Sequence, residues 1–356
     1  MASATKCLLG PLLLLGFWLV LLSNWRHNAV NFASLLTKAR DDAASWTFPL
    51  DPCYRDLKLI ASSTYMAQSD SWQSAPFPGH KSPRQDKDQA PFCLAQRLLK
   101  ATGPLVMFVE TRYLEEFVDL LEGNRRETQR FVIVTAGSDV PLRRELQGRL
   151  AKLPGFCAAY ATNLHRPTER QKDMFHPLPV GFLPNRLTAH NEALLITSRA
   201  AAPPWSRRSE RLLVPWMRMQ CGQRWRRGYR TVLEALEYRD LVKVVDSRLP
   251  FPDYLEQLGS HRVVLSPPGK GYDCTRTWES VWMGCKPLVY NDTDFDTRHY
   301  QRASVSTIPH PDDLSPDLLR KLMDSQEDPS ASDSQQLYIE YWTSRWQADL
   351  HGASTT

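Results

Sequence analysis

The fold is decided by one stretch, Ser266-Pro-Pro-Gly-Lys-Gly-Tyr-Asp-Cys-Thr-Arg-Thr-Trp-Glu-Ser-Val-Trp-Met-Gly-Cys-Lys-Pro-Leu-Val-Tyr290. Just before it, Val263 to Leu265 is apolar and short enough for a buried parallel strand. The prolines and glycines that follow predict a loop. From Asp273, a good N-cap, a helix is expected to run to Gly284, and an apolar strand, Leu288 to Tyr290, comes next. Strand, loop, helix and strand in this order indicate a parallel α/β sheet.

The predicted helix has two faces when its residues are spaced at about 100°. Its core-facing stripe is predicted to contain Trp278, Val281, Trp282 and Cys285. The opposite side is predicted to carry Arg276, Glu279 and Met283. The two charged side chains are therefore expected on the side of the helix that faces away from the core.

Arg276 and Glu279 support a functional hypothesis, although a solvated helix could carry both for solubility alone. They lie in the first turns of the helix, beside a glycine loop, where a strand of an α/β sheet ends and such sheets bind ligands. Unpaired N–H groups and the helix dipole favour an anion there. Arg276 could bind phosphate through its fork of donors, and Glu279 could accept from ribose hydroxyls. We interpret the helix as a site for a nucleotide diphosphate.

Further members of this donor site are predicted from the loop and from a basic cluster. The loop is predicted to contribute Ser266, Gly269, Gly271 and Tyr272. Arg230 belongs to a cluster of arginines that could meet donor phosphates or form ordinary solvated surface. The pattern is not a phosphate loop of the Walker type, because the earlier glycine is missing and Gly271 stands in place of Ser or Thr.

Three motifs in this stretch resemble the donor-site signature of the exostosin-like glycosyltransferases. They are Ser266-Pro-x-Gly, Arg276-x-x-Glu279 and Gly284-Cys-x-Pro287. The segment from Gly271 to Glu279 is similar to the branch that includes the ribitol xylosyltransferase-like proteins, and a looser match reaches back to Asn163. The resemblance implies an α/β, GT-B fold, with two Rossmann-like domains facing across a cleft. It also implies that the matching Arg and Glu contact the nucleotide of a nucleotide-sugar donor.

Two departures from the family pattern leave the donor sugar and the acceptor open. The loop reads Pro-Pro-Gly-Lys-Gly, and the first half of the chain carries no acceptor motif that can be aligned. A length of 356 residues suits two domains. We divide the chain into a signal-anchor with its cytoplasmic tip (1–27), a stem and irregular region (28–100), an N-terminal Rossmann-like acceptor domain (101–199), a C-terminal Rossmann-like donor domain (200–325) and a C-terminal helix and tail (326–356).

Short apolar runs separated by helical patterns predict the strands of both domains. In the first domain we expect strands at Leu105–Val109, Phe131–Thr135, Phe156–Ala161 and Leu178–Phe182. In the second we expect strands at Leu212–Pro215, Val242–Val245, Val263–Leu265 and Leu288–Tyr290, after a linker at Ala200–Glu210. A last helix, Ser332–Ala348, is expected to pack back on the first domain.

The N-terminus carries an uncharged stretch from Cys7 to Leu22 that extends to Trp25. Its length is at the lower limit for spanning a bilayer. No small-residue cleavage site follows closely, so we favour an uncleaved signal-anchor over a cleaved signal peptide. The prediction is a single-pass type II protein of the Golgi or endoplasmic reticulum membrane, anchored through residues 7–25, with a lumenal catalytic domain.

Charge and cysteine content limit the partners and the redox chemistry. The net charge of +5 permits anionic ligands, and no zinc-finger, RRM or KH pattern accompanies it, so no nucleic-acid partner is expected. Of seven cysteines, Cys7 lies in the anchor. The other six allow up to three disulfides in a lumenal protein, or buried free thiols. Cys53 with Cys93 is the expected pair.

The catalytic base of a glycosyl transfer is sought where strands of the first domain end. Asp139 and Glu110 are the candidates for this role, with His165 a third; each could equally be a capping or surface group. Asn163 and Tyr272 could orient or stack on ligands.

No cofactor is required on this hypothesis, because the helix with Arg276 and Glu279 already offers an electrostatic phosphate site. We therefore assign no metal ligand. The alternative is a divalent cation, Mn or Mg, bound by Asp292-x-Asp294-x-Asp296, although such an acidic turn also forms without a metal.

The sequence therefore predicts a hexosyl- or pentosyltransferase that moves a sugar from a nucleotide-diphosphate donor, a UDP-sugar first, to a glycan acceptor with inversion. Two alternatives stay open, a lumenal sulfotransferase and a non-catalytic carbohydrate-binding protein on the same fold. A sulfotransferase would need a phosphate loop after its first strand, where this chain has Glu110-Thr-Arg-Tyr, a poor anion cradle.

Overall fold

The computed structural model describes residues 95, 98–124, 129–182, 189–216, 229, 233, 238, 240–291, 293–325 and 335–352. All of them belong to one of the two units into which the chain divides, 52–78 together with 88–356. The predicted signal-anchor, the stem, the pair Cys53 and Cys93, and Arg230 lie outside the described residues. Among the helices that are described, none has the length and apolar character needed to cross a bilayer.

The first sheet consists of four parallel strands in the order in which they occur along the chain. They are β1 (Leu105–Phe108), β2 (Phe131–Thr135), β3 (Phe156–Ala161) and β4 (Phe175–Pro177). Helices α1 (Leu114–Asn124) and α2 (Arg144–Leu150) connect β1 to β2 and β2 to β3. All five residues of β2 are buried, as expected for a parallel strand that is covered on both faces.

The second sheet has five parallel strands in the order β6-β5-β7-β8-β9. They are β5 (Ser209–Val214), β6 (Val242–Val244), β7 (His261–Leu265), β8 (Lys286–Tyr290) and β9 (Ser306–Ile308). The helices of this part whose bounds are described are α3 (Ala189–Ala201), α4 (Phe251–Gly259), α5 (Thr275–Trp282), α6 (Arg298–Gln301) and α7 (Pro316–Asp324). The predicted α/β class with parallel sheets is confirmed.

The strand predicted at Leu178–Phe182 is wrong, because the fourth strand of the first sheet ends at Pro177. This strand pairs with β3, with Ala159 opposite Phe175 at one end and Ala161 opposite Pro177 at the other. Beyond this point the backbone N–H of Val180 donates to a side chain of the second sheet's loop instead of to a strand. The linker is also shorter than predicted, because β5 already begins at Ser209.

Helix α5 ends where the sequence predicts but begins later. Gly284 has φ +71°, a conformation that favours glycine, and it follows the last turn as expected. Arg208 donates from Nη1 to the carbonyl oxygens of Met283 (2.9 Å) and Gly284 (2.6 Å), which satisfies acceptors at the helix end. At the other end the N-cap is Cys274, not Asp273.

The last helix, α8 (Ile339–His351), begins later than predicted and contacts β1, β2 and β3. Trp342 and Trp346 each meet Tyr160 of β3 edge to face, with ring centroids 6.1 and 6.2 Å apart. The Tyr160 hydroxyl donates to Asp349 Oδ2 at 2.5 Å. The prediction that this helix packs back on the first sheet is confirmed.

The described cysteines are thiols, so the upper limit of three disulfides is not reached. Cys157 and Cys274 are half-buried and Cys285 is buried. Burial raises the pKa of the Cys285 thiol to about 12, and its Sγ donates to the carbonyl oxygen of Leu258 at 2.8 Å. Cys285 is therefore a protonated core residue at neutral pH.

Candidate functional site

Arg276 lies where two neighbouring strands of the second sheet end. It occupies the first turn of α5, which follows β7, and its Nη2 donates at 3.2 Å to the carbonyl oxygen of Trp216, beyond the end of β5. Its Nε is buried and, within the part of the chain that is described, has no hydrogen-bond partner. A buried N–H of a guanidinium without an acceptor is unfavourable, so an anionic acceptor at this position would stabilise it.

Glu279 lies one turn further along α5, and the structure places it differently from the prediction. Only 2% of the residue is exposed, and Met283 is buried as well, so neither lies on a solvent face. Helix α4 packs there and contributes Tyr254, whose hydroxyl donates to Glu279 Oε2 at 2.8 Å. Because α4 covers this side, α5 has almost no exposed face apart from Arg276.

Tyr254 is a site residue that nothing in the sequence singled out, since its position depends on how α4 packs. Burial raises the pKa of its hydroxyl well above the ordinary value, and the negative charge of Glu279 raises it further. The nearby Arg276 acts in the opposite direction. Tyr254 therefore stays protonated at neutral pH and orients the Glu279 carboxylate.

Ser266 and Gly269 shape the loop between β7 and α5. Ser266 is 1% exposed, and its hydroxyl lies 2.9 Å from Thr277 Oγ1 and 3.0 Å from Cys274 Sγ. These contacts tie the end of the strand to the first turn of the helix. The N–H of Gly269 donates to the carbonyl oxygen of Gly271 at 3.1 Å, which closes a tight turn. Their contact with a nucleotide stays a prediction.

Gly271 is required by a close contact with Asn163, which follows β3 of the first sheet. A Cβ at Gly271 would lie 2.7 Å from Asn163 Nδ2. Asn163 itself has φ 53°, a left-handed conformation that Asn tolerates. Its Oδ1 accepts from the N–H of Asp273 at 3.0 Å, and its Nδ2 donates to the carbonyl oxygen of Ser138 at 3.5 Å. The loop between β7 and α5 (266–274), which we call the donor loop after its predicted role, therefore touches the strand ends of the first sheet.

Asp273 is a structural residue rather than the helix cap that the sequence predicts. Its Oδ2 accepts from the Val180 N–H and from Trp278 Nε1, both at 2.8 Å. Its Oδ1 accepts from the Tyr300 hydroxyl at 2.9 Å. Three donors from three separate segments thus converge on one buried carboxylate, which joins the two sheets next to the donor loop.

Tyr272 lies in an aromatic contact between the two sheets. Its ring stacks on Phe295 with centroids 5.3 Å apart and meets His165 edge to face at 6.4 Å. His165 and Phe295 form an antiparallel bridge. In the structure Tyr272 therefore helps to hold the loops together, and its predicted stacking on a ligand stays a prediction.

The two predicted bases lie on adjacent loops of the first sheet. Glu110 follows β1, pairs with Arg112 and comes within 3.4 Å of a Cβ placed on Gly137. Asp139 follows β2, is exposed and comes directly after Ser138, whose carbonyl oxygen Asn163 contacts. Glu110 therefore borders the loop after β2, and that loop reaches Asn163, which contacts Gly271 of the loop after β7.

The acidic turn after β8 is engaged in protein contacts. Both carboxylate oxygens of Asp296 accept from Arg298, at 2.7 to 3.0 Å. Asp294 is exposed, and Asp292 lies outside the described residues. Among the side chains with described positions, no three of His, Cys, Asp and Glu cluster so as to hold a metal ion.

Comparison with known proteins finds similarity in structure only. No protein-family model matches the sequence, and no curated protein matches it. Among solved structures, an alpha,alpha-trehalose 6-phosphate synthase from Burkholderia multivorans is similar at TM-score 0.39 and 10% identity, covering 76% of this chain and 78% of that one. A UDP-GlcNAc 2-epimerase from Methanocaldococcus jannaschii is similar at TM-score 0.33 and 8% identity, covering 75% of this chain and 84% of that one. The wall teichoic acid polymerase TagF is similar at TM-score 0.22 and 9% identity, covering 69% of this chain and 88% of that one. Similarities this weak assign neither a family nor an activity to the chain.

Proposed function

We propose that the chain is a glycosyltransferase of GT-B architecture that transfers a sugar from a nucleotide-diphosphate donor to a glycan acceptor, with inversion. The observation that carries the proposal is the position of Arg276. Its guanidinium lies at the shared end of β5 and β7 with a buried, unsatisfied Nε, beside a loop that touches the strand ends of the first sheet. This is the kind of edge at which α/β sheets bind nucleotides.

In this proposal Arg276 binds the donor diphosphate and stabilises the negative charge that develops on it as the glycosidic bond breaks. Glu279, oriented by Tyr254, accepts from the ribose. Because Glu279 is nearly fully buried, donor binding must expose its carboxylate. The acceptor approaches from the loops of the first sheet, where a base takes its hydroxyl proton.

We propose Asp139 as this base. Glu110 already pairs with Arg112, and a carboxylate that shares the protons of an arginine is a poorer proton acceptor. Asp139 is exposed on the neighbouring loop and forms no ion pair with any described residue. Replacing Asp139 by Asn is expected to lower kcat by about 10² to 10⁴, with little change in donor affinity.

Glu110→Gln is the matched variant. Like Asp139→Asn, it replaces a carboxylate on a loop of the first sheet by an amide and removes one negative charge. The kcat of Glu110→Gln is expected to stay within about tenfold of the wild-type value, because the substitution disturbs only the positioning of neighbouring groups. Steady-state kinetics with the full chain compare the two variants. If Glu110→Gln loses the larger factor, the base is Glu110 and our assignment is wrong.

Binding of nucleotides separates the proposal from its alternatives. Titration calorimetry of the full chain with UDP, GDP and the sulfate-donor product 3′-phosphoadenosine 5′-phosphate is expected to show binding of a nucleoside diphosphate, with UDP the tightest. Preference for the adenosine bisphosphate would instead indicate a sulfotransferase. A carbohydrate-binding protein would bind none of the three.

The cellular location is proposed from the sequence only. Residues 7–25 would anchor the chain in the Golgi or endoplasmic reticulum membrane, with the catalytic part in the lumen. Nucleotide-sugar donors and glycan acceptors are then the partners in that compartment. The assignment predicts that protease added to intact microsomes leaves the catalytic part undigested.

A further inference from the structure

A basic pocket lies between the C-terminal helix and the edge strand of the first sheet, and its His299 borders Asp273 of the loop between β7 and α5. It is lined by His176, Pro177, Arg298, His299, Arg302, Gln336, Trp342 and Arg345. Five of these eight side chains are arginine or histidine, and none is acidic. Nothing in the proposed sugar transfer uses this pocket.

Arg302 and Arg345 supply its uncompensated charge. Arg302 Nη1 donates to the Tyr341 hydroxyl at 2.8 Å, and Arg345 Nη1 lies 3.5 Å from the same oxygen. Within the described ranges no carboxylate lies at ion-pair distance from either guanidinium. Two arginines that share one neutral hydroxyl keep most of their donors for another acceptor.

His299 adds a buried imidazole with unused hydrogen-bonding capacity. The residue is 3% exposed and its ring stacks on Trp278, with centroids 5.4 Å apart. Neither ring nitrogen has a hydrogen-bond partner among the residues with described positions, and Nε2 lies 3.8 Å from Asp273 Oδ2, too far for a hydrogen bond. A neutral imidazole always carries one N–H donor, so a buried His299 without an acceptor is unfavourable unless a ligand supplies one.

The other charged groups around the pocket are largely compensated within the protein. Arg298 donates to both oxygens of Asp296 and to the carbonyl oxygens of Lys172 and Phe175. His176 Nε2 lies 3.5 Å from Asp349 Oδ2. Burial opposes ionisation of Asp349, but hydrogen bonds from His176 and the Tyr160 hydroxyl prevail and lower the pKa of its carboxyl.

These pairs leave the two arginines as the guanidiniums of the pocket that form no ion pair with a described carboxylate. Asp349 faces His176, and its negative charge also acts on Arg345, which it therefore balances in part. The remaining charge comes from two different helical segments, because Arg302 directly follows α6 and Arg345 lies in α8. Two cations that different segments hold side by side suit an acceptor that presents several oxygens.

We propose that this pocket is a binding site for a tetrahedral oxyanion, a phosphate or sulfate group, held by Arg302, Arg345 and His299. The guanidiniums neutralise its charge, and His299 donates one N–H to it. Trp342, whose Nε1 already donates to the carbonyl oxygen of Gln336, forms an apolar wall beside the anion. The site is separate from Arg276 and does not depend on the donor that the enzyme uses.

Titration calorimetry of the full chain with inorganic phosphate, sulfate and a hexose 6-phosphate tests this site at constant ionic strength, with UDP present to fill the donor site. We expect binding of the tetrahedral anions and none of acetate. Tighter binding of the hexose phosphate than of inorganic phosphate identifies a sugar phosphate as the source of the group, and equal binding identifies a free anion.

Arg302→Ala is expected to weaken phosphate binding at least about tenfold, because a charge-assisted hydrogen bond is lost. Arg302 is exposed, so this variant folds. His299→Phe keeps a ring against Trp278 and is expected to weaken binding severalfold. Arg320→Ala removes the same charge from an exposed ion pair with Asp317 and is the matched control, with unchanged affinity expected. The proposal is overturned if phosphate does not bind, or if Arg302→Ala binds it no more weakly than Arg320→Ala.

Discussion

Arg276→Ala is expected to lower the turnover of a nucleotide-sugar donor at least about 10²-fold, the loss typical of removing one group that stabilises developing negative charge. Affinity for the nucleoside diphosphate falls with it. The chain stays folded, because the side chain is only half-buried and its one described hydrogen bond goes to the carbonyl oxygen of Trp216. Initial rates with the donor and calorimetry with UDP measure the two effects.

Arg276→Lys is the control that distinguishes charge from geometry. Lysine keeps the positive charge but lacks the fork of donors, so we expect part of the diphosphate affinity to return and turnover to stay low. Circular dichroism checks that both variants keep the wild-type fold. Wild-type kinetics in Arg276→Ala would refute the site, and with it the proposed function, whereas the oxyanion pocket would stand because it does not involve this residue.

Asp273→Ala is expected to lower the free energy of unfolding by at least about 3 kcal/mol. The substitution leaves three donors without an acceptor, namely the buried Trp278 Nε1 and Tyr300 hydroxyl and the half-buried Val180 N–H, and each buried group costs about 1 to 3 kcal/mol. Because these donors come from both sheets, the variant also loosens the contact beside the donor loop. Urea unfolding of the full chain, followed by tryptophan fluorescence, measures the change.

Asp317→Ala is the matched control for this measurement. It removes an aspartate whose side chain is 94% exposed and whose partner is the exposed Arg320. Exposed ion pairs contribute little, so a change within about 0.5 kcal/mol is expected. Equal stability of the two variants would contradict the role of Asp273 as the residue that joins the sheets.

The strands were predictable where a run of apolar residues is buried on both faces. β2 and β3 begin and end at the predicted residues, and β7 ends at Leu265 as expected. The prediction failed at Leu178–Phe182, which is equally apolar. That segment lies where two sheets meet, and the Asp273 carboxylate takes the Val180 N–H that a strand would have paired.

Only the position of the site along the chain could be predicted from the sequence. Charge next to a glycine loop and after a strand placed Arg276 at the end of the sheet, where the structure has it. Helical periodicity also predicted that Glu279 lies on the side of the helix that faces away from the core. This part was wrong, because periodicity describes one helix and cannot show that α4 covers a second side of it and brings Tyr254 to the carboxylate.

The α/β class, the order of most strands and helices, and the stretch that contains Arg276 follow from the sequence alone. These features depend on neighbours in the chain, through backbone preference and the burial of apolar residues. Only the tertiary structure decided that Asp273 joins the sheets, that Gly271 makes room for Asn163 and that Arg302, Arg345 and His299 line one pocket. Those contacts join residues far apart in the chain, and the packing that creates them follows from the three-dimensional fit of many side chains, which no local pattern of residues encodes.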